Sequence, residues 1–195
     1  MGKTVEFYFD FGSPTAYLAH TQLPAIADRT GAQLEYRPML LGGVFQTIGS
    51  TTPVALPPRG DYMSRDIPRC AAHYGVPYES NPHFPVNTLH VMRGAIAAQD
   101  DGELKPYMDV VYQAIWVGQK DMSQPEVIAE VLQSAGMDAQ KFAARTQEPA
   151  IKEKLKTATA AAVDRGIFGA PTMFVGDEMF FGQDRLDYVE RELAS

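Results

Sequence analysis

The chain has 195 residues, enough for one good-sized domain or a domain with an insertion. A formal charge of −7 without a basic cluster argues against nucleic acid and anionic membrane surfaces, and no window approaches a membrane span. Cys70 is the single cysteine, which excludes an internal disulfide and any paired-cysteine redox or zinc motif; with no leader-type segment before the first strand, a cytoplasmic enzyme or binding protein is expected.

From Thr4, Val5, Phe7 and Phe9 alternate with Glu6, Tyr8 and Asp10, which predicts a strand with one fully apolar face. Gly12-Ser13-Pro14 ends it. Pro14 suits the first turn of a helix, where its missing N–H costs nothing, and Ser13 has the identity of an N-cap. The helix runs to about Arg29, with Pro24 expected to kink or split it, and Thr30-Gly31 closes it. Gln33 to Met39 reads as a second strand, completing a βαβ unit with parallel strands.

Leu40 to Gly60 is rich in Gly, Pro, Ser and Thr and reads as a long loop, with Ser50 and Arg59 as its polar candidates. Asp61 is the expected N-cap of a helix to Tyr74, stopped by Gly75, in which Cys70 serves as a small buried residue. Val76 to Pro85 is too broken by proline for a regular element. Helical spacing returns at Val86–Gln99, Leu104–Val117, Gln124–Ala135, Asp138–Arg145 and Pro149–Arg165, without a repeat. So long a helical stretch within an α/β chain reads as an insertion.

The sheet reopens after Ala170-Pro171. Thr172–Val175 and Glu178–Phe181 form a hairpin across Gly176-Asp177, and Gly182-Gln183-Asp184 leads into a last helix, Arg185–Leu193. His20, His73, His83 and His90 lack metal-ligand spacing and read as structural or surface residues.

The order βαβ, helices, ββα, with a proline opening the third strand, resembles the thioredoxin fold carrying a helical insertion after its second strand, the DsbA-like group. The resemblance implies a discontinuous thioredoxin-like domain, 1–40 and 163–195, around an insertion at 41–162. More closely, the chain is similar to the 2-hydroxychromene-2-carboxylate isomerases and the kappa-class glutathione transferases. The matching residues run in order through Phe9-Asp10-Phe11-Gly12-Ser13-Pro14, Met39-Leu40-Leu41-Gly42-Gly43, Tyr62-Met63-Ser64-Arg65-Asp66, Phe84-Pro85-Val86-Asn87-Thr88, Phe168-Gly169-Ala170-Pro171-Thr172 and Phe181-Gly182-Gln183-Asp184-Arg185-Leu186.

Ser13-Pro14-Thr15-Ala16 stands where thioredoxin-like oxidoreductases carry their two cysteines, so dithiol exchange is unavailable. What the resemblance implies instead is a borrowed thiol, that of glutathione. A free thiol is only a few per cent ionised at neutral pH. A hydroxyl donating to the sulfur adds about 1.5–3 kcal/mol, and the positive end of the first helix about 0.3–1 kcal/mol, in favour of the thiolate. Ser13 is thus the catalytic candidate, with a plain N-cap as the alternative.

The resemblance further implies a cis peptide at Ala170-Pro171, whose backbone can pair with the cysteinyl residue of glutathione, and a γ-glutamyl carboxylate held by amide and backbone donors at Gln183 and Asp184, with the Asp184 side chain meeting the ammonium group. Arg59 stands where these families usually carry a lysine, Ser50 where some carry asparagine, and Gln183 where kappa enzymes tend to have serine. For the substrate, Arg59 and Asn87 are candidates to meet a carboxylate, and Phe11, Phe45 and Trp116 to wall an aromatic ring; core packing, and for Asn87 a helix cap, are the alternatives. The implied reaction is reversible thiolate addition to the double bond of a ring-opened chromene-carboxylate, rotation, and release of the trans isomer, as in naphthalene-type breakdown, with a homodimer as the assembly. A kappa-like transferase or a non-catalytic thioredoxin-fold binding protein would carry the same framework.

Overall fold

The computed structural model describes residues 2–195. Strand β1 (Thr4–Phe9) leads into α1 (Pro14–Thr30) and β2 (Gln33–Pro38); α2 to α8 follow as Leu41–Ile48, Pro57–Tyr74, Leu89–Asp100, Leu104–Trp116, Pro125–Ser134, Ala139–Arg145 and Pro149–Asp164; β3 (Thr172–Val175), β4 (Glu178–Phe181) and α9 (Leu186–Ala194) close the chain. The sheet has the order β2-β1-β3-β4. β1 and β2 are parallel, whereas β3 runs antiparallel to both β1 and β4, so the hairpin expected at Gly176-Asp177 is present.

Aromatic alternation on β1 does what its period requires. Val5, Phe7 and Phe9 are fully buried, while Glu6 and Tyr8 on the opposite face are half-buried. Phe7 and Phe9 stack at 5.6 Å between centroids, and Phe9 meets Phe11 edge-on at 5.4 Å. The helical segment between β2 and β3 packs into the same core through Tyr107, Met108, Tyr112 and Trp116 of α5. Burying a side chain of that size stabilises by about 1.5–3 kcal/mol, so α5 is anchored far more strongly than its helix propensity would achieve.

Five sequence expectations need correction. Pro24 does not split α1, which continues unbroken to Thr30 and ends on Gly31 in the left-handed conformation (φ 67°); Leu23, Ile26 and Ala27 bury its second half, offsetting the lost hydrogen bond. The loop expected over Leu40–Gly60 contains α2 and a short 3-10 turn at Pro53–Ala55. Helix α3 begins at Pro57, not after an Asp61 cap, because two prolines fit a first turn whose N–H groups have no helical partner. The following helix, α4, starts at Leu89 rather than Val86, and a 3-10 turn at Gln183–Arg185 precedes α9.

Candidate active site around Ser13 and the cis proline

Ser13 is 5% exposed and caps α1, its Oγ accepting from Ala16 N at 3.1 Å. The same hydroxyl donates to Ala170 O at 2.9 Å and lies 3.0 Å from Thr15 Oγ1, which itself reaches Ala170 O at 3.3 Å. The Ala170-Pro171 peptide is cis, and Pro171 O accepts from Gly182 N at 3.0 Å. The start of α1, the cis-proline turn and the end of β4 therefore meet at one point. A Cβ on Gly169 would lie 2.6 Å from the Phe181 ring, so any larger residue there would have to displace that half-exposed side chain.

Behind Ser13, Asp10 is 1% exposed and accepts three hydrogen bonds, from Gly12 N (2.8 Å) and Thr88 Oγ1 (2.7 Å) on Oδ1 and from Leu41 N (2.7 Å) on Oδ2. Burial pushes its carboxyl pKa up, against the downward pull of those three bonds.

Beside Pro14 opens a cavity of about 130 Å³, lined by Val54, Met63, Tyr78, Phe84 and Trp116 among others. Trp116 stacks on Tyr78 (6.0 Å, 16°), and its Nε1 donates to Phe11 O at 2.8 Å, which holds the indole plane against the β1–α1 turn.

The other sequence candidates are dispersed. Phe11 is fully buried, edge-on to Tyr112 at 4.8 Å, so it is core and cannot wall an open cavity. Phe45 is half-buried on α2 and does not line this cavity, because α2 packs on α8. Ser50 is exposed just past the end of α2, and Arg59 is exposed in the first turn of α3, next to Gly60 of the cavity wall. Asn87 is exposed just ahead of α4, where its Oδ1 accepts from Leu89 N at 3.1 Å.

Gln183 is turned inward, at 8% exposure. Tyr74 Oη donates to its Oε1 (2.5 Å) and backbone O (2.9 Å), and its Nε2 donates to Cys70 Sγ at 3.3 Å. Its side-chain amide thus joins α3 to the start of α9, leaving exposed Asp184 as the outward-facing member of the pair. Cys70 is half-buried, and burial, followed by the Asp66 charge, pushes its thiol pKa up, which disfavours the thiolate. Tyr74 is likewise pushed to about 12, mainly by burial, and stays a phenol donor.

Asp10, Thr15, Thr88 and Tyr74 are the participants that sequence reasoning missed. Only Asp10 had a local signal, since Asp-x-Gly after a strand is the spelling of an Asx turn. His20, by contrast, is buried and pairs with Asp109 at 2.7 Å, a structural role. Among the described residues no cluster of three or more His, Cys, Asp or Glu could hold a metal ion, and no helix is long and apolar enough to cross a membrane.

A strand–helix turn facing a cis proline, on a four-stranded mixed sheet interrupted by helices, defines a DsbA-like thioredoxin protein, and residues 4–194 match the DSBA-like thioredoxin domain family. The chain is 34% identical to the 2-hydroxychromene-2-carboxylate isomerase of Sphingobium xenophagum, covering 99% of both chains. Kappa-class relatives are more distant, with human glutathione S-transferase kappa 1 at 28% identity over 98% of this chain and 91% of that one. A solved 2-hydroxychromene-2-carboxylate isomerase superposes with a TM-score of 0.86 at 32% identity, covering 96% of this chain and 93% of that one. The chain belongs to the 2-hydroxychromene-2-carboxylate isomerase family, a family of isomerases.

Proposed function

We propose that the protein is a glutathione-dependent cis–trans isomerase of 2-hydroxychromene-2-carboxylate-type substrates, in which Ser13 stabilises the glutathione thiolate. The observation that carries this reading is the buried Ser13 hydroxyl at the amino end of α1, 2.9 Å from the carbonyl of the cis Ala170-Pro171 peptide, in a chain without a cysteine at that corner. A neutral hydroxyl offers one hydrogen bond and is itself a poor nucleophile, so the nucleophile has to be supplied by a ligand.

On this reading, the cysteinyl backbone of glutathione pairs with Ala170 next to Pro171, and the sulfur sits at Ser13. The γ-glutamyl end extends toward Gln183 and Asp184, the backbone there and the Asp184 carboxylate being the groups able to meet it. Ser50 and Arg59 border the approach. The substrate ring takes the cavity beside Trp116, and its carboxylate meets Arg59 or the exposed amide of Asn87. Once the hemiketal ring has opened to the cis-benzylidenepyruvate, thiolate addition makes a C–S bond, turns the C=C into a single bond and passes its electron pair to the conjugated carbonyl as an enolate. Rotation and expulsion of the sulfur restore the double bond as the trans isomer, and glutathione is regenerated.

Isomerisation of a chromene-carboxylate with and without glutathione is the test. The expected result is a rate that depends on glutathione while its total concentration stays constant. No activity and no binding at millimolar glutathione would overturn the reading. The kappa-class relatives favour one alternative, transfer, which is distinguished by consumption of glutathione with a chloronitrobenzene. The same reading includes a cytoplasmic homodimer serving aromatic catabolism.

A further inference from the structure

Three helices from separate parts of the chain begin around one carboxylate. Asp10 holds Gly12 N and Thr88 Oγ1 on one oxygen and Leu41 N on the other, and its backbone carbonyl accepts from Ser13 N at 3.1 Å. Leu41 opens α2, Thr88 immediately precedes α4, and Ser13 caps α1. Positive helix ends gathered on a buried carboxylate are mutually favourable. Gly12 completes the arrangement, because a Cβ there would meet Thr88 Cγ2 at 3.2 Å and Asp10 Oδ1 at 3.3 Å. Tyr112 of α5 also feels this carboxylate, and burial first, then the Asp10 charge, keep it a neutral phenol.

We infer that Asp10 is a positioning residue for Ser13. Its carboxylate fixes the Gly12–Ser13 backbone against the starts of α2 and α4, and so sets the direction in which the Ser13 hydroxyl meets the thiolate. The inference rests on the reading of Ser13 given above, and it goes beyond it by assigning a task to a group that does not touch the sulfur.

Two roles for Asp10 predict opposite signs. A buried negative charge behind the loop disfavours a nearby thiolate, so if charge were all that mattered, removing it would lower the thiol pKa of bound glutathione. A positioning residue favours the thiolate, so removing it raises that pKa. The test is an ultraviolet titration of the bound thiol in the wild type, Asp10→Asn and Thr88→Val, together with kcat and KM. For Asp10→Asn the expected result is a thiol pKa higher by about one unit, a roughly tenfold rise in the ratio of thiol to thiolate near neutral pH. A matching fall in kcat should recover in alkali, with KM for glutathione within about twofold of the wild type. Thr88→Val should move the same way, by roughly two- to threefold, and decides alone if Asp10→Asn does not fold. An unchanged or lowered thiol pKa overturns the inference. If the wild type binds no glutathione, the functional reading fails by itself. Amide exchange at Gly12 and Ser13 in the ligand-free proteins then decides, with roughly tenfold faster exchange in Asp10→Asn expected and equal rates overturning the inference.

Discussion

A single hydroxyl proton governs the chemistry proposed for Ser13, and the bonds its Oγ accepts and donates divide by consequence. Accepting from Ala16 N is a structural cap, and losing it costs about 1 kcal/mol of stability. Donating is the bond that reaches a ligand. Ser13→Ala should therefore lower the thermal midpoint modestly and reduce isomerisation at neutral pH by about tenfold to a hundredfold, since a charge-assisted hydrogen bond of roughly 1.5–3 kcal/mol is lost. The pH–rate profile should move upward with the thiol pKa; a variant with wild-type rate and profile would refute the assignment. At this scale Ser13 was legible because strand, glycine, serine and proline spell a strand-to-helix turn. Thr15 was not, because its relation to Ala170 spans 155 residues and no local spacing encodes it.

Among the elements, the helix that sequence reasoning missed, α2, is held by distant partners. α2 contains two glycines and lacks a side-chain cap; what fixes its start is Leu41 N on Asp10 and Leu40 N on Thr159 Oγ1 of α8. By contrast α1, β1, β3 and β4 lay within a residue or two of their expected bounds, because alternation and turn residues are local signals. Arg165, just past α8, ties the helical segment back to the sheet: its guanidinium bonds Glu6 Oε1 (2.6 Å) and Tyr8 Oη (2.9 Å) and stacks over Phe174 at 3.7 Å. Burial pushes the Glu6 carboxyl up, but Arg165 and Arg37 outweigh it and hold its pKa below the ordinary 4.5. A depressed native pKa contributes stability above the unfolded value and loses it as pH falls through the native one. Wild-type thermal midpoints should thus drop on acidification below about pH 4.5, and Glu6→Gln should be less stable at pH 7 with a flatter profile in acid; parallel curves would refute this. Tyr74→Phe, which releases Gln183 and loosens α3 from the start of α9, should raise KM for glutathione severalfold with little change in kcat, measured by steady-state kinetics.

For the whole molecule, light scattering should give twice the 21.4 kDa chain mass if the proposed homodimer forms, and a monomer mass would refute it. The general architecture was readable because six short matches fall in order along the chain, each weak alone. The cavity was not, since its lining joins α1, α3, α5 and the segment between α3 and α4, which only folding brings together. The bond between Ser13 Oγ and Ala170 O also bears on the proposed chemistry, because it ties the hydroxyl to the very carbonyl assigned to the tripeptide backbone. On that reading, an amide of glutathione takes over the carbonyl and leaves the hydroxyl proton for sulfur in a one-for-one exchange. The order of addition that follows is glutathione before the electrophile.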